Sequence, residues 1–142
     1  MKELIISASG ESGIASDTLY NALKSSISEQ TQSIRKVLLL PPDITRMHSG
    51  AGIITALYYE MLKASCKVDI MPALGTHEPM SEHEIKEFFG ENIPLECFIN
   101  HNWREDVVKI GEIPGEFVKK VSEGLMEEPI DVEVNKLLVT ST

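Results

Sequence analysis

Two polar clusters in this 142-residue chain combine the side chains that bind anions with those that move protons. The first is Pro41-Pro42-Asp43-Ile44-Thr45-Arg46-Met47-His48-Ser49-Gly50-Ala51-Gly52, which runs from the end of an apolar segment into a row of small residues. Small residues at 49–52 leave a helix start open, so that its free N–H groups and positive dipole end could receive a phosphate or carboxylate. Arg46 adds a planar fork for the same anion, and Asp43 an acceptor for a hydroxyl. A plainer reading stands beside this one, in which Asp43 and Thr45 cap a turn and Arg46 is solvated. The second cluster is Ala73-Leu74-Gly75-Thr76-His77-Glu78-Pro79-Met80. A histidine in such a loop suits proton transfer, and Gly75 lets backbone approach a ligand closely. Here too a plainer reading exists, with His77 as a hydrogen-bonded turn residue.

Other chemical patterns fail residue by residue. Gly10-Glu11-Ser12-Gly13 lacks the final glycine of a nucleophile elbow, because position 14 is Ile14. There is no Walker A run, and the HExxH zinc helix is absent because His83-Glu84 is followed at the required position by Glu87. His83 falls on the exposed first turn of an expected helix, His48 is given no role, and residues 98–104, with His101 and the only tryptophan, Trp103, read as loop packing. Cys66 and Cys97 have neither CxxC nor Cys/His spacing and read as reduced core thiols.

The elements that must position the two clusters follow from hydrophobic pattern. Strands are expected at 4–8, 37–40, 68–71, 95–99, 107–110 and 130–134. A helix capped at Ser16 or Asp17 carries Leu19, Ala22, Leu23 and Ile27 on one face. A second helix after Ser49 carries Ile53, Leu57, Met61 and Ala64. A third has Ser81 as N-cap, Glu84 as capping-box partner, Met80 and Ile85 as a hydrophobic staple, and Gly90 at its end. A fourth, after Pro114, carries Phe117, Val118, Val121 and Leu125. Alternating strands and helices give an α/β layered domain with a mostly parallel sheet flanked by helices, and both clusters fall at the C-terminal ends of strands, where open α/β sheets bind ligands.

Length, composition and charge bound the function. At 142 residues, 42% hydrophobic and 25% charged, the chain reads as one globular domain, 1–142. Thirteen Lys and Arg against 22 Asp and Glu give a net charge of -9, the wrong sign for a domain that neutralises phosphates, so no nucleic-acid partner is expected. The longest apolar run, 37–40, is far short of a membrane span, and Met1-Lys2-Glu3 does not open a secretory signal, so the expectation is a cytoplasmic protein with no membrane partner. The chain ends on Leu137-Leu138-Val139-Thr140-Ser141-Thr142, an apolar stretch with no capping signal or longer polar tail, as though cut at a domain junction.

At the two clusters the sequence resembles the N-terminal domain of the nickel-pincer-nucleotide-dependent lactate racemases and their 2-hydroxyacid racemase and epimerase relatives. That family carries an Asp-x-Thr-Arg loop and a Gly-Thr-His-x-Pro-Met loop, matched here by Asp43-Ile44-Thr45-Arg46 and Gly75-Thr76-His77-Glu78-Pro79-Met80. The similarity runs from about Val37 onward. It implies a Rossmann-like domain forming one wall of an active-site cleft, completed by a C-terminal domain of the same protein. It also implies a tethered nickel-pincer nucleotide (Ni(II)-pyridinium-3,5-bisthiocarboxylate mononucleotide), held mainly by that other domain, with no metal ligand in this chain. Asp43, Ile44, Thr45 and Arg46 would contact the cofactor, Arg46 would also hold the carboxylate of a small 2-hydroxy acid, and His77 would be one of two catalytic acid/bases. The implied chemistry moves hydride between the α-carbon and the cofactor through a planar 2-keto acid while a histidine takes the hydroxyl proton. Met47-His48 follows Arg46 where better-known members carry proline. The competing readings are a non-catalytic anion- or nucleotide-binding α/β module using the helix start at 49–52, and a metal-dependent hydrolase using Asp43, His77 and His101.

Overall fold

The computed structural model describes residues 5–10, 13–27 and 34–140, which divide into two compact units, Met1–Asn100 and His101–Thr142. In the first unit, β1 (Lys36–Leu39) and β2 (Lys67–Ile70) pair in parallel, Val37 opposite Val68 and Leu39 opposite Ile70. They are joined by α2 (Ala51–Leu62), so the three form one β-α-β crossover. The buried core lies between these elements and α3 (Glu82–Phe89): Tyr59 and Leu62 from α2, Val68 and the fully buried Ile70 from β2, Phe88 and Phe89 from α3, and Ile93. Rings of Phe88 and Phe89 lie 4.7 Å apart, and those of Phe89 and Phe98 5.2 Å apart. The helix α1 (Ser16–Ile27) packs on α2, and Ser26 Oγ and Tyr58 OH share a hydrogen bond of 2.9 Å. Its half-buried residues are Leu19, Ala22, Leu23 and Ile27, the stripe read from the sequence.

The start of α3 also forms as its sequence dictates. Ser81 N–H donates to Glu84 Oε2 at 2.7 Å, while Glu84 N–H donates to Ser81 Oγ at 3.3 Å. Each side chain thus satisfies a backbone donor that the first helical turn leaves unpaired. Met80 and Ile85 both pack against the core, and Gly90 ends the helix at φ 85.

Three expectations for this unit are corrected. Residues 5–9 form no strand, and Ile5 is 80% exposed; Leu4 and Ser28 to Ser33 lie outside the described residues. Residues 95–97 form a 3-10 turn in place of a strand, because Cys97 and Phe98 donate their N–H groups back to Pro94 and Leu95; only a single parallel bridge, Ile70 with Phe98, continues the sheet. Among the described residues the parallel sheet therefore has two strands, and the architecture is mixed α/β with a small parallel sheet plus helices in place of the larger, mostly parallel sheet expected. Finally, α2 buries Gly52, Thr55, Tyr59 and Leu62, whereas Ile53 is 64% exposed. Its sequence is apolar nearly all round, so spacing does not select a face, but packing does: a Cβ on Gly52 would lie 1.9 Å from the Phe88 carbonyl oxygen. Only glycine lets α2 approach α3 this closely.

In the second unit, β3 (Val107–Ile113) pairs antiparallel with β4 (Ile130–Asn135), with a register shift between Lys109 and Gly111. The strands pair with each other and so do not extend the parallel sheet. Between them, α4 (Gly115–Val121) buries Val118 and stops short of the expected length, since Glu123 and Gly124 both adopt positive φ. Leu125 consequently falls outside the helix and is 89% exposed. Lys109 bridges Glu112 and Asp131 on the hairpin, and Lys136, just before the single turn α5 (Leu137–Thr140), pairs with Asp106 at 2.7 Å. The Arg104 guanidinium stacks 3.8 Å from the centre of the Trp103 ring, a local packing role for this loop. Among the described residues no helix is long and apolar enough to cross a membrane.

Candidate functional site

Beyond the last paired residues of β1 and β2 the parallel ladder does not stop at once. Met71 N–H donates to Leu39 O at 2.9 Å and Ala73 N–H to Pro41 O at 2.8 Å, and Pro42 bridges Ala73. Pro41 lacks a donor but keeps its carbonyl, so it can close this step of the ladder from the accepting side. The two chemically loaded loops therefore leave the strand ends side by side.

The first loop becomes a 3-10 turn, Ile44–Ser49, with Asp43 as its N-cap. Asp43 Oδ1 accepts from Thr45 N–H at 3.1 Å and from Thr45 Oγ1 at 2.5 Å. Arg46 sits at a kink in this turn (φ -107, ψ 29), and Gly50 ends it at φ 72. The second loop turns at Gly75, φ 61, a left-handed conformation that favours glycine, and His77 N–H closes the turn onto Leu74 O at 3.0 Å. This turn carries the His77 ring back to the first loop, where Nδ1 lies 2.6 Å from Asp43 Oδ2.

Asp43, Thr45, Arg46 and His77 thus line one cavity of about 370 Å³ with Pro42, Ala73, Leu74, Gly75 and Thr76. Exposure divides them. The Asp43 side chain is 6% exposed and that of His77 53%; Thr45 and Arg46 are also exposed, whereas Ile44 turns inward against the core. Burial acts to raise the pKa of the Asp43 carboxyl, but hydrogen bonds from Thr45 Oγ1, His77 and the Thr45 amide outweigh it and hold the group below its ordinary value. Arg46 makes no ion pair or side-chain hydrogen bond among the described residues, so its fork is uncommitted. The site consequently offers an exposed cation beside an imidazole that is anchored from beneath by a buried carboxylate.

The turn-capping reading of Asp43 and Thr45 is correct as far as it goes, and the spacing Asp-x-Thr carries that signal. What the sequence does not reveal is the partnership of Asp43 with His77, 34 residues away. The start of α2 differs from expectation: Ser49 Oγ accepts from Ala51 N–H at 3.2 Å, and Gly52 is small because Phe88 abuts it. Among the described residues no three His, Cys, Asp or Glu side chains are grouped to hold a metal ion, so a metal-hydrolase reading finds no donor set there.

The first unit thus presents an arginine and a carboxylate-anchored histidine around one cavity at the C-terminal ends of a parallel strand pair, the place where open α/β sheets commonly bind ligands. The sequence model of the lactate racemase N-terminal domain matches residues 5–139, and the chain belongs to that family. It is similar to the crystal structure of a protein from Thermotoga maritima, with 28% sequence identity and a TM-score of 0.72 over 89% of this chain. That match covers 31% of the Thermotoga chain, so the present chain spans about a third of its solved relative's length. No curated protein gives a significant match.

Proposed function

We propose that this chain forms one wall of the active site of a racemase or epimerase acting on small 2-hydroxy acids, with Arg46 holding the substrate carboxylate and His77 exchanging the hydroxyl proton. The observation that carries this reading is the shared cavity: both side chains are exposed, both border the same space, and Arg46 pairs with no carboxylate among the described residues.

In this reading the guanidinium of Arg46 pairs with both carboxylate oxygens and so fixes the plane in which the adjacent α-carbon sits. His77, on the neighbouring loop, accepts the 2-hydroxyl proton as the α-carbon flattens toward the keto acid, and returns it as general acid in the reverse direction. The carboxylate stays on Arg46 throughout, which holds the planar species in place. One imidazole approaches from one side only, so a second base is needed for the other enantiomer, and it falls to a further domain of the same protein.

The exposed hydroxyl and guanidinium of the site fit contact with anionic parts of a nucleotide cofactor. Thr45 and Arg46 present side chains for such contact, whereas Asp43 is internally committed and Ile44 faces the core. When bound, a nickel-pincer nucleotide supplies the hydride acceptor and donor for the α-carbon. We also propose that the protein works in the cytoplasm.

The test is racemisation of single enantiomers of lactate and related 2-hydroxy acids by the complete protein, loaded with cofactor and followed by chiral chromatography. Residues 1–142 alone are expected to show no turnover and no stoichiometric, tight nickel binding. Failure of the loaded protein to interconvert any 2-hydroxy acid would overturn the assignment.

A further inference from the structure

The resemblance casts Asp43 as a cofactor contact, yet its carboxylate is buried and three donors already converge on it. Thr45 N–H and Oγ1–H occupy Oδ1, and the His77 ring lies against Oδ2. A carboxylate has about four acceptor positions, so little is left for an external ligand, and the side chain is only 6% exposed. We infer that Asp43 is a positioning residue: it holds His77 as the tautomer protonated on Nδ1, leaving Nε2 as the ring nitrogen that accepts the substrate proton. What Nε2 then does rests on the racemase reading; the tautomer itself does not.

Hydrogen-bond polarity fixes the tautomer. An ionised carboxylate only accepts, so at 2.6 Å the His77 Nδ1 must be the donor. A neutral imidazole has one N–H; if Asp43 claims it at Nδ1, Nε2 carries a lone pair. The depressed pKa of Asp43 is consistent with this, because a protonated Asp43 could instead donate to the ring. Thr45 contributes by fixing which oxygen is which. With both of its donors on Oδ1, the carboxylate cannot rotate without losing two hydrogen bonds.

That geometry makes Asp43→Asn a directed perturbation, not merely a weakening one. The amide oxygen is held on the Thr45 side by the same two donors, so the NH2 group takes the place of Oδ2 and points at His77. Nδ1 must then accept, and the ring proton moves to Nε2, the nitrogen required as base. The expected result is a tautomer reversal in a folded protein.

The experiment is long-range ¹⁵N–¹H correlation spectroscopy of the His77 ring in the 142-residue chain, at a pH where the imidazole is neutral, in the native protein and in Asp43→Asn. The amide fingerprint spectrum reports whether the variant is folded. The expected spectra place the proton on Nδ1 in the native chain and on Nε2 in the variant. A native chain protonated mainly on Nε2 would overturn the inference, as would a folded variant that keeps the Nδ1 proton. If Asp43→Asn does not fold, the native spectrum still decides, since tautomerism at His77 is read without it. No substrate or cofactor enters this measurement, so its failure would leave the racemase reading standing, and failure of racemisation would leave these spectra unaffected.

Discussion

Replacing Gly52 with alanine tests the packing on which the site is built, because α2 leads out of the Arg46 loop and α3 out of the His77 loop. A Cβ at this position lies 1.9 Å from the Phe88 carbonyl oxygen, 2.9 Å from its carbonyl carbon and 3.1 Å from Cδ2 of its ring. The first two are backbone atoms of α3, which cannot swing aside as a side-chain tip could, so the helices must separate by more than an ångström. Two opposing effects follow. Alanine inside a helix gains roughly 0.5–1 kcal/mol over glycine. Overpacking of a core contact costs typically 1–3 kcal/mol, and a backbone clash belongs at the upper end of that range. The expected net effect is a destabilisation of about 1–2 kcal/mol, which for a unit of this size lowers Tm by roughly 5–15 °C. The sequence supplies its own probes: all three tyrosines, Tyr20, Tyr58 and Tyr59, lie in the first unit, whereas the single tryptophan, Trp103, lies in the second. Thermal unfolding followed by tyrosine fluorescence should therefore record the fall. A Tm that rises would refute the close approach of α2 to α3.

The capping box at α3 predicts that Ser81→Ala lowers stability by about 0.5–2 kcal/mol in urea titration, since it removes the acceptor for Glu84 N–H and a partner of the Glu84 side chain. Asp43 and Glu84 both have depressed carboxyl pKa values, the first through hydrogen bonds that outweigh burial and the second mainly through the Ser81 backbone and side chain. A folded pKa below the unfolded one gives stability that is complete above the unfolded value and lost as pH falls through the folded one. Urea midpoints should accordingly stay level down to about pH 5 and decline below the ordinary values of 3.8 and 4.5, with Asp43→Asn showing a shallower decline; an unchanged acid slope in that variant would contradict the assignment. In the complete protein, if it acts as the proposed racemase, Arg46→Lys keeps the charge but loses the planar fork, so substrate binding should weaken by ~1.5–3 kcal/mol, and a native KM in that variant would remove Arg46 from carboxylate recognition.

Local signals in this sequence are strong and long-range ones weak. The capping box Ser81/Glu84, the glycine stop at Gly90 and the stripe on α1 are all legible because each depends on residues within one or two helical turns. The two site loops are legible for the same reason, being short runs of distinctive residues. By contrast, 95–97 has strand-like composition but folds back on Pro94, and no local pattern announces that. The inward face of α2 is hidden because its sequence is apolar almost all round, and only the shape of α3 at Phe88 decides the matter. The size of the parallel sheet depends on which strands find one another, and β3 and β4 pair together. At the site, spacing exposes the Asp43–Thr45 turn, whereas the bond from Asp43 to His77 exists only once β1 and β2 are in register.

The most direct test of the central claim is single-turnover formation of keto acid from each enantiomer of the substrate by the complete, cofactor-loaded protein carrying His77→Ala. Removing the base while leaving Arg46 in place should preserve most of the substrate affinity and slow turnover by ~10²-fold or more. Because His77 stands on one side of the cavity, the loss should be unequal between the two enantiomers. Near-native rates from both would contradict the account and take His77 out of the mechanism.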